Sequence, residues 1–259
     1  MTSPSIGFIG GGRVTRILLG GWRHAGLHPA RIVVSEPDAD VRARLAELHP
    51  DVDAGDDPRK AAAQDIVFLA VHPPALPGVL DQIAATITPE TIVVYLGAKV
   101  TLAVLAQGLR GHRAIARIIP NAPSIVGEGY NPIATGASMT PEQRGRLAAL
   151  FEPVGALVEV AEPKLEAYVL LTGMGPTYMW FQWQELRELA QSFGLTAEEV
   201  APALEQMTRG ALRTLLSSGL SPAETMDLVP VKPLADDAPA IQAAYRSRLP
   251  ALFAKIRPQ

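Results

Sequence analysis

A run of glycines near the N-terminus is the first feature with evident chemical potential. Gly10, Gly11 and Gly12 follow the apolar segment Ile6-Gly-Phe-Ile and precede Arg13 and Val14. A glycine at the first position permits a tight turn, and one at the third lets a pyrophosphate approach the backbone closely. The N–H groups that begin the next helix then point at the phosphates. We therefore expect these five residues to bind a dinucleotide.

An acidic residue, Glu36, follows the second apolar segment and bears on the choice of dinucleotide. It lies 21 positions after Thr15, close to the spacing at which a carboxylate accepts hydrogen bonds from the adenosine ribose. A carboxylate there repels a 2′-phosphate, which favours NAD over NADP. Arg13 keeps NADP open, because a guanidinium can pair with phosphate bidentately. The plain alternative for Glu36 is a solvated charge at a strand end.

The elements that would position these residues alternate through the first 160 residues. Several apolar runs are continuous, as in strands covered on both faces of a parallel sheet. This alternation predicts an α/β fold, a Rossmann doubly wound parallel sheet, over residues 1–161. The candidate strands are 5–9, 31–35, 65–71, 91–95, 114–119 and 156–160.

The remaining chain, residues 162–259, has the pattern of helices only. A long helical segment is predicted over 164–193, and further helices begin after Thr196 and Ser221. These helices carry many apolar positions with little chain of their own to cover them. We expect an all-α dimerisation domain and a homodimer or higher homo-oligomer.

Composition excludes several classes of partner and site. Among 259 residues, 48% are hydrophobic and 19% charged, and the net charge is −3, so we expect no nucleic-acid or membrane partner. Cysteine is absent and no histidine or acidic spacing is typical of a metal site. The first residues lack a basic region of the kind that begins a signal peptide, which predicts a cytoplasmic enzyme.

Three further segments, taken with the glycine turn, resemble the pyrroline-5-carboxylate reductase family, whose members catalyse the last step of proline synthesis. They are Phe68-Leu-Ala-Val-His-Pro-Pro74, Arg117-Ile-Ile-Pro-Asn-Ala-Pro-Ser-Ile-Val-Gly-Glu-Gly129 and Thr172-Gly-Met-Gly-Pro-Thr-Tyr178. Their order and spacing match over nearly the whole chain.

This resemblance implies a reductase that uses NAD(P)H to reduce a small carboxylated cyclic imine. It places Val71, Pro73 and Asn121 beside the ribose and nicotinamide of the cofactor, and we expect His72, which lies between the first two, to contact the cofactor as well. It also implies that backbone N–H groups of one turn bind the substrate carboxylate. That turn comprises Thr172, Gly173, Met174, Gly175, Pro176 and Thr177. Glycines at a helix break suit an anion site, although they also suit a simple packing kink.

The chain departs from the family pattern at three places. A family lysine is His72 here, and a family glycine is Lys99. The serine-, glycine- and threonine-rich substrate loop of the family is replaced by Val229-Pro-Val-Lys-Pro-Leu-Ala-Asp-Asp237. This last change leaves open a different imine or carbonyl substrate, or a non-catalytic NAD(P)-binding dimer.

Four residues are candidates for a proton donor or cation, namely His72, Lys99, Lys232 and Tyr178, and we single out His72 and Lys232 for catalysis. A protonated imine needs little acid catalysis, whereas reduction of a ketone requires a proton donor or a cation. His72 follows a predicted strand, where doubly wound sheets bind ligands, and Lys232 lies in the altered loop. His72 can alternatively pack on the cofactor ribose, and Lys232 can be an ordinary surface lysine.

Overall fold

The computed structural model describes residues 3–258 and contains one sheet of eight strands. Their order is β3-β2-β1-β4-β5-β6-β7-β8. All neighbouring strands are parallel except β6 and β7, which pair antiparallel. The strands are β1 (Ser5–Ile9), β2 (Arg31–Ser35), β3 (Asp53–Gly55), β4 (Ile66–Leu69), β5 (Ile92–Tyr95), β6 (Ile115–Ile118), β7 (Gly129–Thr135) and β8 (Gly155–Glu159).

Helices connect the strands and form the C-terminal part of the chain. They are α1 (Arg13–His24), α2 (Ala39–Leu48), α3 (Pro58–Ala62), α4 (Leu76–Ile83), α5 (Leu102–Gly108), α6 (Pro141–Phe151), α7 (Leu165–Tyr168), α8 (Gly175–Ser192), α9 (Ala197–Ser217), α10 (Pro222–Asp227) and α11 (Ala238–Ile256). A π-helical turn, Val169–Gly173, lies between α7 and α8. Short polar residues cap several starts; Thr140 and Thr196 each form a capping box.

The central strands are apolar along their whole length because both faces of the sheet are covered. On one face Phe8, Trp22, Phe68 and Phe151 form an aromatic cluster, and the Trp22 indole N–H donates to the Leu150 carbonyl at 2.8 Å. The other face packs against α3, α4 and α5. The predicted α/β fold with a parallel sheet and a helical C-terminal region is confirmed.

Two strands were not predicted, and one helix differs from its prediction. β3 has three residues, and β7 contains Pro132, which usually marks a strand edge. The helical segment predicted over 164–193 is helical in the structure, but a π-helical turn separates α7 from α8. Gly173 ends the π-helical turn and Gly175 begins α8, so the two glycines lie where regular helix geometry is interrupted.

The chain forms two compact units. The first comprises Met1–Met174 with Phe253–Gln259, and the second comprises Gly175–Leu252. The domain boundary after residue 161, expected from the sequence, stays a prediction. Within residues 3–258, no helix is both long enough and apolar enough to cross a membrane.

Candidate functional site

The glycine turn after β1 has the geometry that close approach of a ligand requires. Gly10 adopts φ +106°, and a Cβ there would lie 2.5 Å from the Ala70 carbonyl oxygen. The Thr15 hydroxyl donates to the Gly10 carbonyl at 2.6 Å, so it fastens the turn and is not aimed at a phosphate. A Cβ at Gly12 would meet no atom within 4 Å. The backbone at the start of α1 is therefore open on the side that a pyrophosphate would take.

The Glu36 carboxylate is hydrogen-bonded to the glycine turn. Its Oε2 accepts a hydrogen bond from the Gly11 N–H at 2.8 Å, and its Oε1 accepts one from the Asp38 N–H at 3.0 Å. Arg42 Nη1 donates to the backbone carbonyls of Glu36 and Pro37. Among the described residues it is not hydrogen-bonded to the Glu36 carboxylate. The carboxylate is thus fixed beside the glycine turn, where the sequence predicts a ribose acceptor.

A cavity of about 670 Å³ opens at the carboxyl ends of β1, β4 and β5. This volume is within the range of small-molecule and cofactor sites, about 300–1,000 Å³. Residues from several segments line it: the start of α1, α2, the segment after β4, the end of β5 with the segment after it, the π-helical turn, and the end of α11. They include Gly12, Arg13, Val14, Val71, His72, Pro73, Gly97, Ala98, Lys99, Val169 and Met174. The cavity walls thus contain six of the residues that the sequence singles out for the cofactor.

The charged groups around the cavity are positive. Arg13, Arg16 and Arg44 line it together with Lys99, and no aspartate or glutamate does. None of these four cations takes part in an ion pair within residues 3–258. The arrangement is suited to a ligand with several negative charges, as a dinucleotide pyrophosphate has. Arg16 and Arg44 were missed in the sequence because helix arginines are usually solvated surface residues.

A buried tyrosine, Tyr95, is hydrogen-bonded to the segment that follows β5. The Tyr95 hydroxyl donates to the Ala98 carbonyl at 3.2 Å. Burial raises the pKa of Tyr95 to about 12, although the positive charge of Arg117 acts in the opposite direction. Tyr95 is therefore a neutral phenol near pH 7. Lys99 follows with φ +72°, a conformation that glycine adopts more easily.

Asn121 links the segment after β6 to the π-helical turn. Its Nδ2 donates to the Thr172 carbonyl at 3.2 Å, and its Oδ1 accepts from the Tyr130 N–H at 3.0 Å. The Thr172 hydroxyl donates to the Tyr168 carbonyl at 2.9 Å. Both the Nδ2 and the Oδ1 of Asn121 thus form hydrogen bonds with backbone groups. The place of Asn121 beside the nicotinamide stays a prediction.

The remaining predicted residues divide between the two units. Thr172, Gly173 and Met174 end the first unit, whereas Gly175, Pro176 and Thr177 begin the second. Lys232 also lies in the second unit, where its Nζ is 3.4 Å from Asp227 Oδ1. Among residues 3–258, no group of three or more histidine or acidic side chains is placed to hold a metal ion.

These features define a class of protein. The strand order β3-β2-β1-β4-β5-β6, the glycine turn after β1 and the cavity at the strand ends are those of a dinucleotide-binding Rossmann fold. Residues 5–99 match the family model described as "NADP oxidoreductase coenzyme F420-dependent".

Curated relatives identify the family more closely. The chain is 31% identical to the pyrroline-5-carboxylate reductase of Pseudomonas aeruginosa over 226 residues, which are 86% of this chain and 82% of that protein. It is 30% identical to the Escherichia coli reductase over 228 residues, 86% of this chain and 84% of that one. The chain belongs to the pyrroline-5-carboxylate reductase family, a family of oxidoreductases.

Solved structures agree with this assignment. A pyrroline-5-carboxylate reductase from Coxiella burnetii superposes with a TM-score of 0.68 at 28% identity, covering 99% of this chain and 95% of that one. The NADP-bound pyrroline carboxylate reductase of Plasmodium falciparum gives a TM-score of 0.74, covering 99% and 95%. At 18% identity the second comparison bears on the fold alone.

Proposed function

We propose that the protein is an NAD(P)H-dependent reductase that converts 1-pyrroline-5-carboxylate to proline. The observation that carries this proposal is the cation-lined cavity at the ends of β1, β4 and β5, in a chain of this family. The reaction transfers a hydride from C4 of the nicotinamide to the imine carbon. The π electron pair of the C=N bond moves to the nitrogen, whose proton is that of the iminium or comes from a donor, so the products are a secondary amine and NAD(P)⁺.

In this proposal each segment of the cavity has one task. The start of α1, with Gly12 and Arg13, binds the pyrophosphate. Glu36 accepts hydrogen bonds from the adenosine ribose, in place of the bond it now accepts from Gly11. The segment Val71–Pro73 packs against the nicotinamide riboside, and the backbone of residues 172–177 binds the substrate carboxylate.

Two side chains are proposed to assist the chemistry. An imine that arrives unprotonated must gain a proton during reduction, and His72 is the group at the end of β4 that can supply it. Lys232, the second residue that the sequence singles out, lies in the second unit with its Nζ 3.4 Å from Asp227 Oδ1, and its role as a cation for the substrate stays a prediction.

The direct test is oxidation of NADH and of NADPH on addition of 1-pyrroline-5-carboxylate to the purified protein. Turnover that yields proline supports the proposal. Cofactor binding without turnover of this imine contradicts it. The same assay with other cyclic imines and 2-oxo acids would then separate a reductase of another substrate from a non-catalytic NAD(P)-binding protein.

A second substrate remains a specific alternative because of the segment between α10 and α11. Residues 229–237 contain two prolines and two aspartates in place of the small hydroxylated residues that the family resemblance implies. The side chains of Val229, Val231 and Leu234 are all more than half exposed. A segment of this composition offers few hydrogen-bond donors to a small amino acid, so a different imine is the second candidate.

We further propose that the second unit forms a homodimer. Its helices and the segments between them expose large apolar side chains that a monomer would leave in water. Those exposed by more than two thirds are Phe181, Phe193, Leu216, Val231 and Leu234. Light scattering of the wild type should give twice the chain mass or more. Phe181→Glu with Leu216→Glu should yield monomers, whereas Leu48→Glu, an exposed leucine of the first unit, should not; a monomeric wild type contradicts the proposal.

A further inference from the structure

Two side-chain bridges join the β6 segment to the helical turn that lines the cavity. Arg117, in β6, donates from its Nη2 to Glu166 Oε1 at 2.6 Å. Four residues later Asn121 donates to the Thr172 carbonyl at 3.2 Å. Glu166 lies in α7, one turn before Val169, and both Val169 and Met174 line the cavity. The first bridge therefore fixes the helical segment that leads into the candidate substrate turn.

The same guanidinium also reaches the segment after β5. Its Nη2 donates to the Gly97 carbonyl at 3.3 Å, and its Nη1 donates to Glu162 Oε1 at 3.0 Å. Glu162 in turn accepts from the Leu102 N–H, at the start of α5, at 2.7 Å. One buried cation thus holds two walls of the cavity, the segment of Gly97–Lys99 and the π-helical turn.

Burying these charged side chains carries a free-energy cost of desolvation that opposes folding. The Arg117 side chain is fully buried, that of Glu166 is 2% exposed, and the Arg117 Nε has no hydrogen-bond partner within the described residues. Removing charges from water costs several kcal/mol per ion, and apolar side chains of similar volume often give equal or greater stability. Stability is therefore a weak explanation for a charged network at this place in the fold.

We propose that Arg117 and Glu166 are positioning residues that hold the turn at residues 172–174 in the conformation that binds the substrate carboxylate. The inference rests on the proposed function, because it assigns a carboxylate to that turn. Neither side chain lines the cavity, so they act through Val169 to Met174 and through the Gly97 carbonyl.

The chain offers a matched pair of variants for the test. Glu166→Met and Glu162→Met each remove one carboxylate from the same guanidinium, and each leaves it the other. Both are expected to lower the melting temperature. Only Glu166→Met should lower kcat/KM for the imine, by about tenfold to 100-fold, through a higher KM for the imine and with KM for NAD(P)H little changed.

A second variant separates positioning from folding if Glu166→Met does not fold. The double replacement Arg117→Met with Glu166→Met removes the buried pair together, so no unpaired charge of that pair remains. It should fold and still show the raised KM for the imine. Leu147→Ala, in the buried core of α6, controls for loss of stability and should leave that KM unchanged.

Hydrogen exchange supplies a readout that does not depend on turnover. Amide protons of residues 169–174 should exchange faster in Glu166→Met than in Glu162→Met, because only the former releases α7. Equal exchange and equal KM for the imine in the two variants would overturn the inference. A wild type without imine turnover contradicts the proposed function instead, and the exchange comparison then decides the positioning role alone.

Discussion

The carboxylate of Glu36 and the backbone N–H of Gly11 are joined by a hydrogen bond of 2.8 Å. This bond places a fixed negative charge beside the glycine turn, and a Cβ on Gly11 would lie 3.2 Å from the Glu36 Cβ. Such a charge accepts from a ribose 2′-hydroxyl and repels a 2′-phosphate. The relationship leads to a prediction about the choice between the two nicotinamide cofactors.

Glu36→Ala is expected to shift the preference from NADH toward NADPH. Loss of a hydrogen bond to a charged group costs about 1.5–3 kcal/mol, so KM for NADH should rise about tenfold or more. KM for NADPH should fall, because the repulsion is removed while Arg13 remains. Steady-state kinetics with both cofactors measure the ratio. Glu47→Ala, an exposed carboxylate near the end of α2, is the matched control, and an unchanged ratio in Glu36→Ala would remove the role assigned to Glu36.

Gly10 and Gly12 should respond differently to the same substitution. Gly12→Ala meets no atom of the protein, so its melting temperature should stay near that of the wild type. The added methyl would overlap a bound pyrophosphate, and overpacking of about 1–3 kcal/mol raises KM for NAD(P)H at least about fivefold. Gly10→Ala combines φ +106° with a 2.5 Å contact and should destabilise the fold itself. Thermal melts and cofactor titrations measure both effects. A Gly12→Ala protein that binds the cofactor normally would show that the pyrophosphate lies elsewhere.

Most of the first unit could be predicted from the sequence because its signals are local. The glycine turn, β1, β2 and the cap at Thr140 each depend on residues within a few positions of one another, and all are observed. β7 was not predicted because Pro132 interrupts it. Its pairing with β6 depends on tertiary context that the local pattern does not contain.

The buried network was outside the reach of sequence reasoning for a related reason. Arg117 stands inside an apolar strand, which hints at a buried charge. Its carboxylate partners, Glu162 and Glu166, lie 45 and 49 positions further along the chain. Nothing in the pattern pairs them, because glutamates at the start of a helix are common on protein surfaces. Only the fold brings the three charges together.

His72→Asn is expected to lower kcat for imine reduction about tenfold or more, since positioned proton donors contribute at least about 100-fold in many enzymes and water can replace part of this effect. KM for NAD(P)H should change little. The same substitution at His24, an exposed residue at the end of α1, is the control. Steady-state kinetics at saturating cofactor distinguish the roles. If KM for NAD(P)H rises while kcat is unchanged, His72 packs on the ribose and does not transfer a proton.

The hydrogen bonds of Asp65 should make the stability of the fold depend on pH, and this dependence can be measured without any ligand. Its Oδ2 accepts from both the backbone N–H and the hydroxyl of Ser5, each at 2.8 Å, which ties the start of β4 to the start of β1. The backbone hydrogen bond from Ser5 lowers the pKa of Asp65, and burial opposes this shift. Because the folded pKa is below the ordinary value of 3.8, the stabilisation is complete above that value and is lost as pH falls through the folded pKa.

Asp65→Asn should therefore melt at a lower temperature than the wild type at pH 7, and the difference should shrink as the pH falls below about 4. The loss at neutral pH should be a few degrees, since one net hydrogen bond is worth about 1 kcal/mol and a chain of this size shifts about 2–4 °C per kcal/mol. Melting curves followed by circular dichroism across this pH range measure it. Glu90→Gln, an exposed carboxylate between α4 and β5, should show no such convergence. A difference between Asp65→Asn and the wild type that persists unchanged at low pH would mean that the carboxylate stabilises the two strands by its shape and not by its charge.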